Sequence, residues 1–191
     1  MRITGGTMKG RRLTNVKAPG IRPASDKVRE AIFNILGHDL SGCSVLDLFA
    51  GTGSLGIESL SRAAEDAFFV DNSDRAIVIL KKNLITCGCE SFSTVIKSNL
   101  PRPGSLSRVR DIRGGNQFDL IFVDPPYGKG YVGPTIYELV KMGLLAKDGE
   151  IVIESSTNDK DPLPAVILDL RLGMTKAYGS TLISFYSSYG K

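Results

Sequence analysis

Residues 45–56 read VLDLFAGTGSLG. An apolar run that carries one acid, Asp47, gives way to Gly51-Thr52-Gly53-Ser54-Leu55-Gly56, a match to G-x-G-x-x-G. After a strand and before a helix, that pattern is the fingerprint of a dinucleotide site. A second acid, Asp71, closes another apolar run about 20 residues on, where such sites hold a ribose. Alone, the pattern fits any ligand that needs backbone to approach closely. The rest of the chain has to separate these readings.

From residue 44 onward, β-rich apolar runs alternate with helical stretches. The strands are expected at 44–49, 67–70, 92–97, 118–123 and 149–154, and the helices at 55–64, 73–86 and 133–145. Such alternation predicts an α/β fold, a mostly parallel sheet with helices on both faces. Runs such as FDLIFV suit strands buried on both sides. Asn72-Ser73-Asp74 offers an N-cap, and Lys147-Asp148-Gly149 reads as the turn before the fifth strand. Residues 98–117 are rich in Pro, Gly, Ser and Arg and read as a long loop with room for one helical turn. Residues 165–186 read as two or three strands with short turns, hence antiparallel neighbours. A parallel sheet closed in this way departs from the usual dinucleotide fold.

The 43 residues before the sheet stand apart. A basic arm with two short strand-like pieces leads into a helix from Asp26 to about Gly37. Ser25 is its expected cap, and Val28, Ile32, Ile35 and Leu36 form its apolar face. The arm itself is not expected to join the core. Residues 1–29 carry eight basic side chains against Asp26, a net +7, so the other 162 sum to −3 within the total of +4. A basic arm beside a mildly acidic body points to a polyanion partner.

Composition narrows the classes. The 191 residues are 42% apolar and 23% charged, enough for one domain with a small extension. No apolar run nears the ~20 residues of a membrane helix. The start, MRITGGTMKGRRL, lacks the apolar core of a signal peptide, so a cytoplasmic protein is expected. Cys43, Cys87 and Cys89 make no disulfide framework, and Cys87-Gly88-Cys89 is too closely spaced for a zinc pair. With His38 as the single histidine, no metal is expected.

The separating motif is Asp124-Pro125-Pro126-Tyr127-Gly128, after the fourth strand. The prolines fix φ and remove two donors, which leaves the Asp124 and Pro125 carbonyls as acceptors. Ligands of open α/β sheets bind at this carboxyl edge. The NH2 of a nucleobase is a weak nucleophile because its lone pair is delocalised into the ring. The Asp124 carboxylate and the Pro125 carbonyl can accept its two hydrogens and favour a pyramidal nitrogen. Tyr127 can stack on the base, while Pro126 fixes the turn. The amine becomes acidic once alkylated, so alignment and electrostatics suffice.

Together DLFAGTGSLG and DPPY resemble the S-adenosylmethionine-dependent methyltransferases that act on exocyclic amines. GGTMKGRRL, RPASDKVREAIFNIL and the C-terminal YGSTLISFY complete, over 1–186, a resemblance to the bacterial 16S ribosomal RNA (guanine-N2)-methyltransferase family. It implies a Rossmann-like class I methyltransferase: a mostly parallel seven-stranded sheet with an antiparallel C-terminal strand and a short N-terminal basic β-hairpin and helix. Residues 1–43 would be the RNA-binding extension and 44–191 the catalytic domain. The reaction would move methyl from S-adenosylmethionine to guanine N2 in 16S rRNA, leaving S-adenosylhomocysteine, without metal or membrane.

The resemblance also assigns residues. Asp47, Gly51 and Gly53 would line the methionyl end, with Phe49 shaping the turn. Asp71 would accept from the ribose hydroxyls, Asn72 would line the adenine pocket, and Ser98 or Asn99 would bond the adenine amine. Lys9, Arg11 and Arg12 would hold phosphates without reading sequence. Arg22 and Lys27 would face the cleft, and Lys129 would lie in the glycine-flanked loop that closes over the base. A monomer acting on a small-subunit assembly particle is expected. Three other readings stay open: an adenine-N6 or cytosine-N4 amino-methyltransferase of DNA or RNA, a catalytically silent RNA-binding module, and, more distantly, a dehydrogenase.

Overall fold

In the computed structural model, which describes residues 1–15, 26–159 and 163–188, the run before the glycines is β1 (Ser44–Leu48), buried throughout. The described chain forms two compact units, Met1–Lys97 and Ser98–Lys191. In the first, β1 pairs in parallel with β2 (Asp66–Asp71), and β2 with β3 (Ser93–Lys97). The crossovers are α2 (Ser54–Ser61) and α3 (Asp74–Cys87). Ser73 caps α3 as expected, its hydroxyl accepting from the Ala76 N–H. α2 is short and wholly buried, so it lies close against its neighbours. A Cβ on Gly56 would stand 2.3 Å from the Phe69 ring of β2, and one on Gly53 2.2 Å from Leu80 of α3.

The arm belongs to this unit's core, contrary to expectation. Ile3 and Leu13 are buried. Arg2 and Arg12 form a bridge, and Ile3 and Gly10 close a short hairpin through backbone bonds. The reason is Glu58 of α2, itself fully buried. It accepts from the Thr4 and Gly5 N–H groups and the Thr4 hydroxyl, each at 2.8 Å. It also pairs with Arg29 at 3.2 Å and Arg62 at 3.0 Å. Arg29 lies on α1 (Asp26–Leu36), whose buried face is Val28, Arg29, Ile32 and Phe33. Ile35 and Leu36 are only half-buried, because the helix turns its arginine inward to Glu58. The expected Ser25 cap lies outside the described residues.

In the second unit, β4 (Phe118–Val123) pairs in parallel with β5 (Leu145–Ser156). β5 pairs antiparallel with β8 (Thr181–Ser188), β8 with β7 (Leu170–Tyr178), and β7 with the two-residue β6 (Val166–Ile167). The described residues thus hold eight strands, not seven, and the antiparallel portion is three strands. Lys147-Asp148-Gly149 is not a turn. β5 begins at Leu145, and its register with β4 jumps from Phe118↔Leu145 to Leu120↔Glu150. Those residues form a bulge inside the strand. The 98–117 region holds a true helix, α4 (Ser107–Arg113), pinned by buried Leu106 and Val109. Its start is tied to α5 (Val132–Lys141) by the Gly104 N–H, which donates to Glu138 at 2.6 Å.

Candidate functional site

The first unit places two carboxylates under the glycine loop. Phe49 leaves β1 with φ 59, Ala50 donates to the Val70 carbonyl at 3.0 Å, and Gly53 starts α2 at φ 77. Asp71, at the end of β2, accepts from the Gly51 N–H through Oδ2 and from the Ser73 N–H through Oδ1, both at 2.8 Å. Each oxygen retains a lone pair for a ligand. Asp47 is 2% exposed and accepts from the Gly56 N–H at 3.0 Å. Burial raises its carboxyl to about 7; the Gly56 bond opposes the shift and the charge of Asp71 adds to it.

This geometry argues against a pyrophosphate. In a dinucleotide site the first turn of the helix offers N–H groups to the anion. Here a carboxylate already occupies the Gly56 N–H, and a second lies under the preceding loop. The Gly51 and Gly56 N–H groups are thereby engaged by the protein and not offered to a pyrophosphate. The side of Gly51 where a Cβ would stand meets nothing nearer than the Phe49 carbonyl at 3.8 Å, so a ligand can reach the backbone there. A ligand that combines an ammonium, a sulfonium and a ribose diol fits this donor and acceptor set. Asn72 follows, exposed.

Sequence reasoning missed Asn83, which holds the loop from behind. Its amide donates to the Thr52 carbonyl at 2.9 Å and the Thr14 carbonyl at 3.1 Å, and accepts from the Thr14 N–H at 2.8 Å. The available signal was an amide on the buried face of α3, among Ala76, Leu80, Leu84 and Cys87.

The second unit presents the Asp-Pro-Pro-Tyr turn at the end of β4. Pro125 is buried, Asp124 half-buried, and Pro126 exposed. Tyr127 is 42% exposed. Its hydroxyl donates to Oε1 of Glu154 at 2.7 Å and lies 3.3 Å from the Thr181 hydroxyl. Glu154, absent from the sequence reading, is 4% exposed. Val123 pairs with Ile153, so Glu154 follows on β5 where Asp124 follows on β4. Burial raises the Tyr127 hydroxyl well above its ordinary range, with Glu154 and Asp124 adding to the shift. Burial likewise raises Glu154, against the pull of the Tyr127 bond.

The remaining expected residues separate by role. Ser98 turns its hydroxyl onto its own loop, donating to the Ser105 carbonyl at 2.6 Å. The carbonyl of exposed Asn99 accepts from the Arg102 N–H. Lys9, Arg12, Lys27 and Lys129 are exposed. Arg11, exposed as well, donates to the Cys87 carbonyl at 2.7 Å and the Thr86 carbonyl at 3.2 Å, at the end of α3. Arg22 lies outside the described residues. Among the described residues no group of three or more His, Cys, Asp or Glu is placed to hold a metal, and no helix is long and apolar enough to cross a membrane.

A family model described as conserved hypothetical protein 95 matches residues 1–187. The chain is 36% identical over 193 residues to the putative rRNA methyltransferase YlbH of Bacillus subtilis, covering 100% of both chains. It is 36% identical over 187 residues to ribosomal RNA small subunit methyltransferase D of Escherichia coli, covering 97% of this chain and 89% of that one. Among solved structures, a putative methyltransferase of Escherichia coli superposes with a TM-score of 0.82 at 33% identity, covering 100% of this chain and 99% of that one. The Rossmann-like methyltransferase fold follows from this full-length likeness.

Proposed function

We infer that this chain, a member of the conserved hypothetical protein 95 family, is a methyltransferase of small-subunit ribosomal RNA, and we propose the exocyclic N2 amine of a guanine as its target. The relatives' names support the substrate class, and the resemblance read in the sequence supports guanine. The observation that carries the chemistry is the turn after β4, where Asp124, Pro125 and a half-exposed Tyr127 follow one another at the end of a buried strand.

S-adenosylmethionine supplies the electrophilic methyl group and leaves as S-adenosylhomocysteine. Asp47 and the Gly51–Gly53 loop would hold its methionyl end, Asp71 its ribose and Asn72 its adenine. The Asp124 carboxylate and the Pro125 carbonyl accept the two amine hydrogens and so expose the nitrogen lone pair. Tyr127 stacks on the base and keeps the amine in line. The extra proton on the alkylated nitrogen is acidic and passes to solvent, so no strong base and no metal is needed. Exposed Lys9, Arg12 and Lys27, in the 1–43 extension, and Lys129 in the 44–191 domain supply phosphate contacts. We place the protein in the cytoplasm as a monomer acting on an assembling small-subunit particle.

The test is transfer of labelled methyl to unmodified small-subunit particles, free small-subunit rRNA and DNA, followed by nucleoside analysis. Label in N2-methylguanosine from RNA or particles is the expected result. Methyladenine or methylcytosine would keep the mechanism and overturn the target. Bound cofactor with no label in any substrate would favour a silent RNA-binding module.

A further inference from the structure

The second unit keeps a buried acid that the reaction as derived leaves without a task. Glu154 ends the apolar run of β5 and is 4% exposed. Its Oε1 accepts the Tyr127 hydroxyl at 2.7 Å, while its Oε2 is buried with no hydrogen-bond partner. An acid so placed is a poor device for stability. Desolvating a carboxylate is costly, and a leucine of similar volume would fill the same space without that cost. Position is the better account of it.

Tyr127 follows two prolines that fix the backbone on its N-terminal side, yet its own side chain retains two rotatable bonds. The residue is 42% exposed, so burial alone does not fix the side chain. The hydroxyl is fixed instead, by Glu154 from β5 and by Thr181 at the start of β8, 3.3 Å away. The ring thus has one end held by the proline turn and the other by the two neighbouring strands.

We propose that Glu154 is a positioning residue, which fixes the plane of the Tyr127 ring before the target base arrives. This rests on the reading that Tyr127 stacks on the base. The benefit is preorganisation: a ring already ordered loses less freedom when a base stacks on it. Glu154 touches neither the base nor the methyl donor in this role.

The test uses full-length protein with tyrosine labelled at the ζ carbon, whose NMR shift responds to hydrogen bonding at the hydroxyl. The chain has six tyrosines, and the Tyr127 signal is the one lost in Tyr127→Phe. Glu154→Leu should move that signal and raise KM for small-subunit particles about tenfold, the effect of losing one charge-assisted hydrogen bond. Glu154→Gln, which keeps an acceptor, should recover most of the loss. The Tyr127→Phe/Glu154→Leu double variant should be no worse than either single one. An unmoved Tyr127 signal in Glu154→Leu, losses that multiply in the double variant, or Glu154→Gln as impaired as Glu154→Leu would overturn the proposal. Should Glu154→Leu fail to fold, Tyr127→Phe removes the same bond, and a wild-type KM there would overturn it too. Tyr127→Ala separates the two levels. Full activity without the ring would end the stacking reading itself, whereas an inactive Tyr127→Ala beside an unmoved signal in Glu154→Leu would remove Glu154 alone.

Discussion

The carboxylate of Asp71 accepts the backbone N–H of Gly51 at 2.8 Å, tying the end of β2 to the loop that follows β1. Twenty residues separate them in sequence, yet the parallel pairing of Leu48 with Val70 brings the two strand ends level. The acid therefore shapes the loop, beside the ligand role proposed for it. Asp71 and Asp47 thus both hold backbone N–H groups of the glycine stretch, those of Gly51 and Gly56.

Asp71→Ala and Asp124→Ala should fail in different ways. The first should lower affinity for S-adenosylmethionine at least tenfold in equilibrium titration, because it removes both a ligand acceptor and the Gly51 contact. The second should leave that affinity nearly unchanged and cut methyl transfer by about 10²–10³, typical of a lost electrostatic partner in a transition state. Wild-type transfer by Asp124→Ala would remove Asp124 from the reaction.

Asp47 gives the fold a pH dependence of defined sign. Its carboxyl moves from the ordinary 3.8 to about 7 on burial. Between those values the unfolded chain releases the proton that the folded chain keeps, so this group's contribution to stability falls as pH rises. Asp47→Asn retains an acceptor for the Gly56 N–H and loses that slope. In the absence of cofactor, the variant's advantage in Tm should be smallest near pH 4, widen to pH 7 and flatten above it. An advantage constant with pH would mean that Asp47 ionises normally.

Gly56→Ala should destabilise the protein by about 1–3 kcal/mol, as overpacking does. The added methyl would stand 2.3 Å from Cε1 of Phe69, and alanine's better helix propensity offsets only part of that cost. Adding Phe69→Leu should recover part of the loss in denaturant titration. A double variant less stable than Gly56→Ala alone would show that the clash lies elsewhere.

Glu58→Gln should cost about 3–5 kcal/mol, because it leaves buried Arg62 without its counter-charge and Arg29 with Asp26 alone. Hydrogen exchange at the Thr4 and Gly5 amides should accelerate together with global unfolding. Fast exchange at those two sites in the wild type would show that the arm is not held.

Removing the charge of Lys9 and Arg12 should weaken RNA binding and flatten its log–log salt dependence by about 0.7–0.9 per lost phosphate contact. Arg11→Ala should act chiefly on stability, since its guanidinium holds the end of α3. A salt slope unchanged by the loss of Lys9 and Arg12 would leave the arm without a phosphate role.

β4 was legible residue for residue, because FDLIFV is apolar with a single outward acid, Asp119. β5 was not. Lys147, Asp148 and Gly149 have turn chemistry, and only pairing with β4 turns such residues into a bulge. The turn that carries Asp124 and Tyr127 could be read because two prolines fix its local geometry. Glu58's grip on the arm, Asn83 and Glu154 could not, because the partners lie 54, 69 and 27 residues away. A lone polar residue in an apolar pattern carries no mark of what it will meet.

The Glu58 hub also fixes an order of events during synthesis. Thr4 and Gly5 leave the ribosome well before the side chain that receives their N–H groups, which follows 54 and 53 residues later. The basic hairpin therefore emerges early and docks only once α2 exists. The hairpin waits for α2, and its docking marks the completion of the helix that begins at the glycine loop.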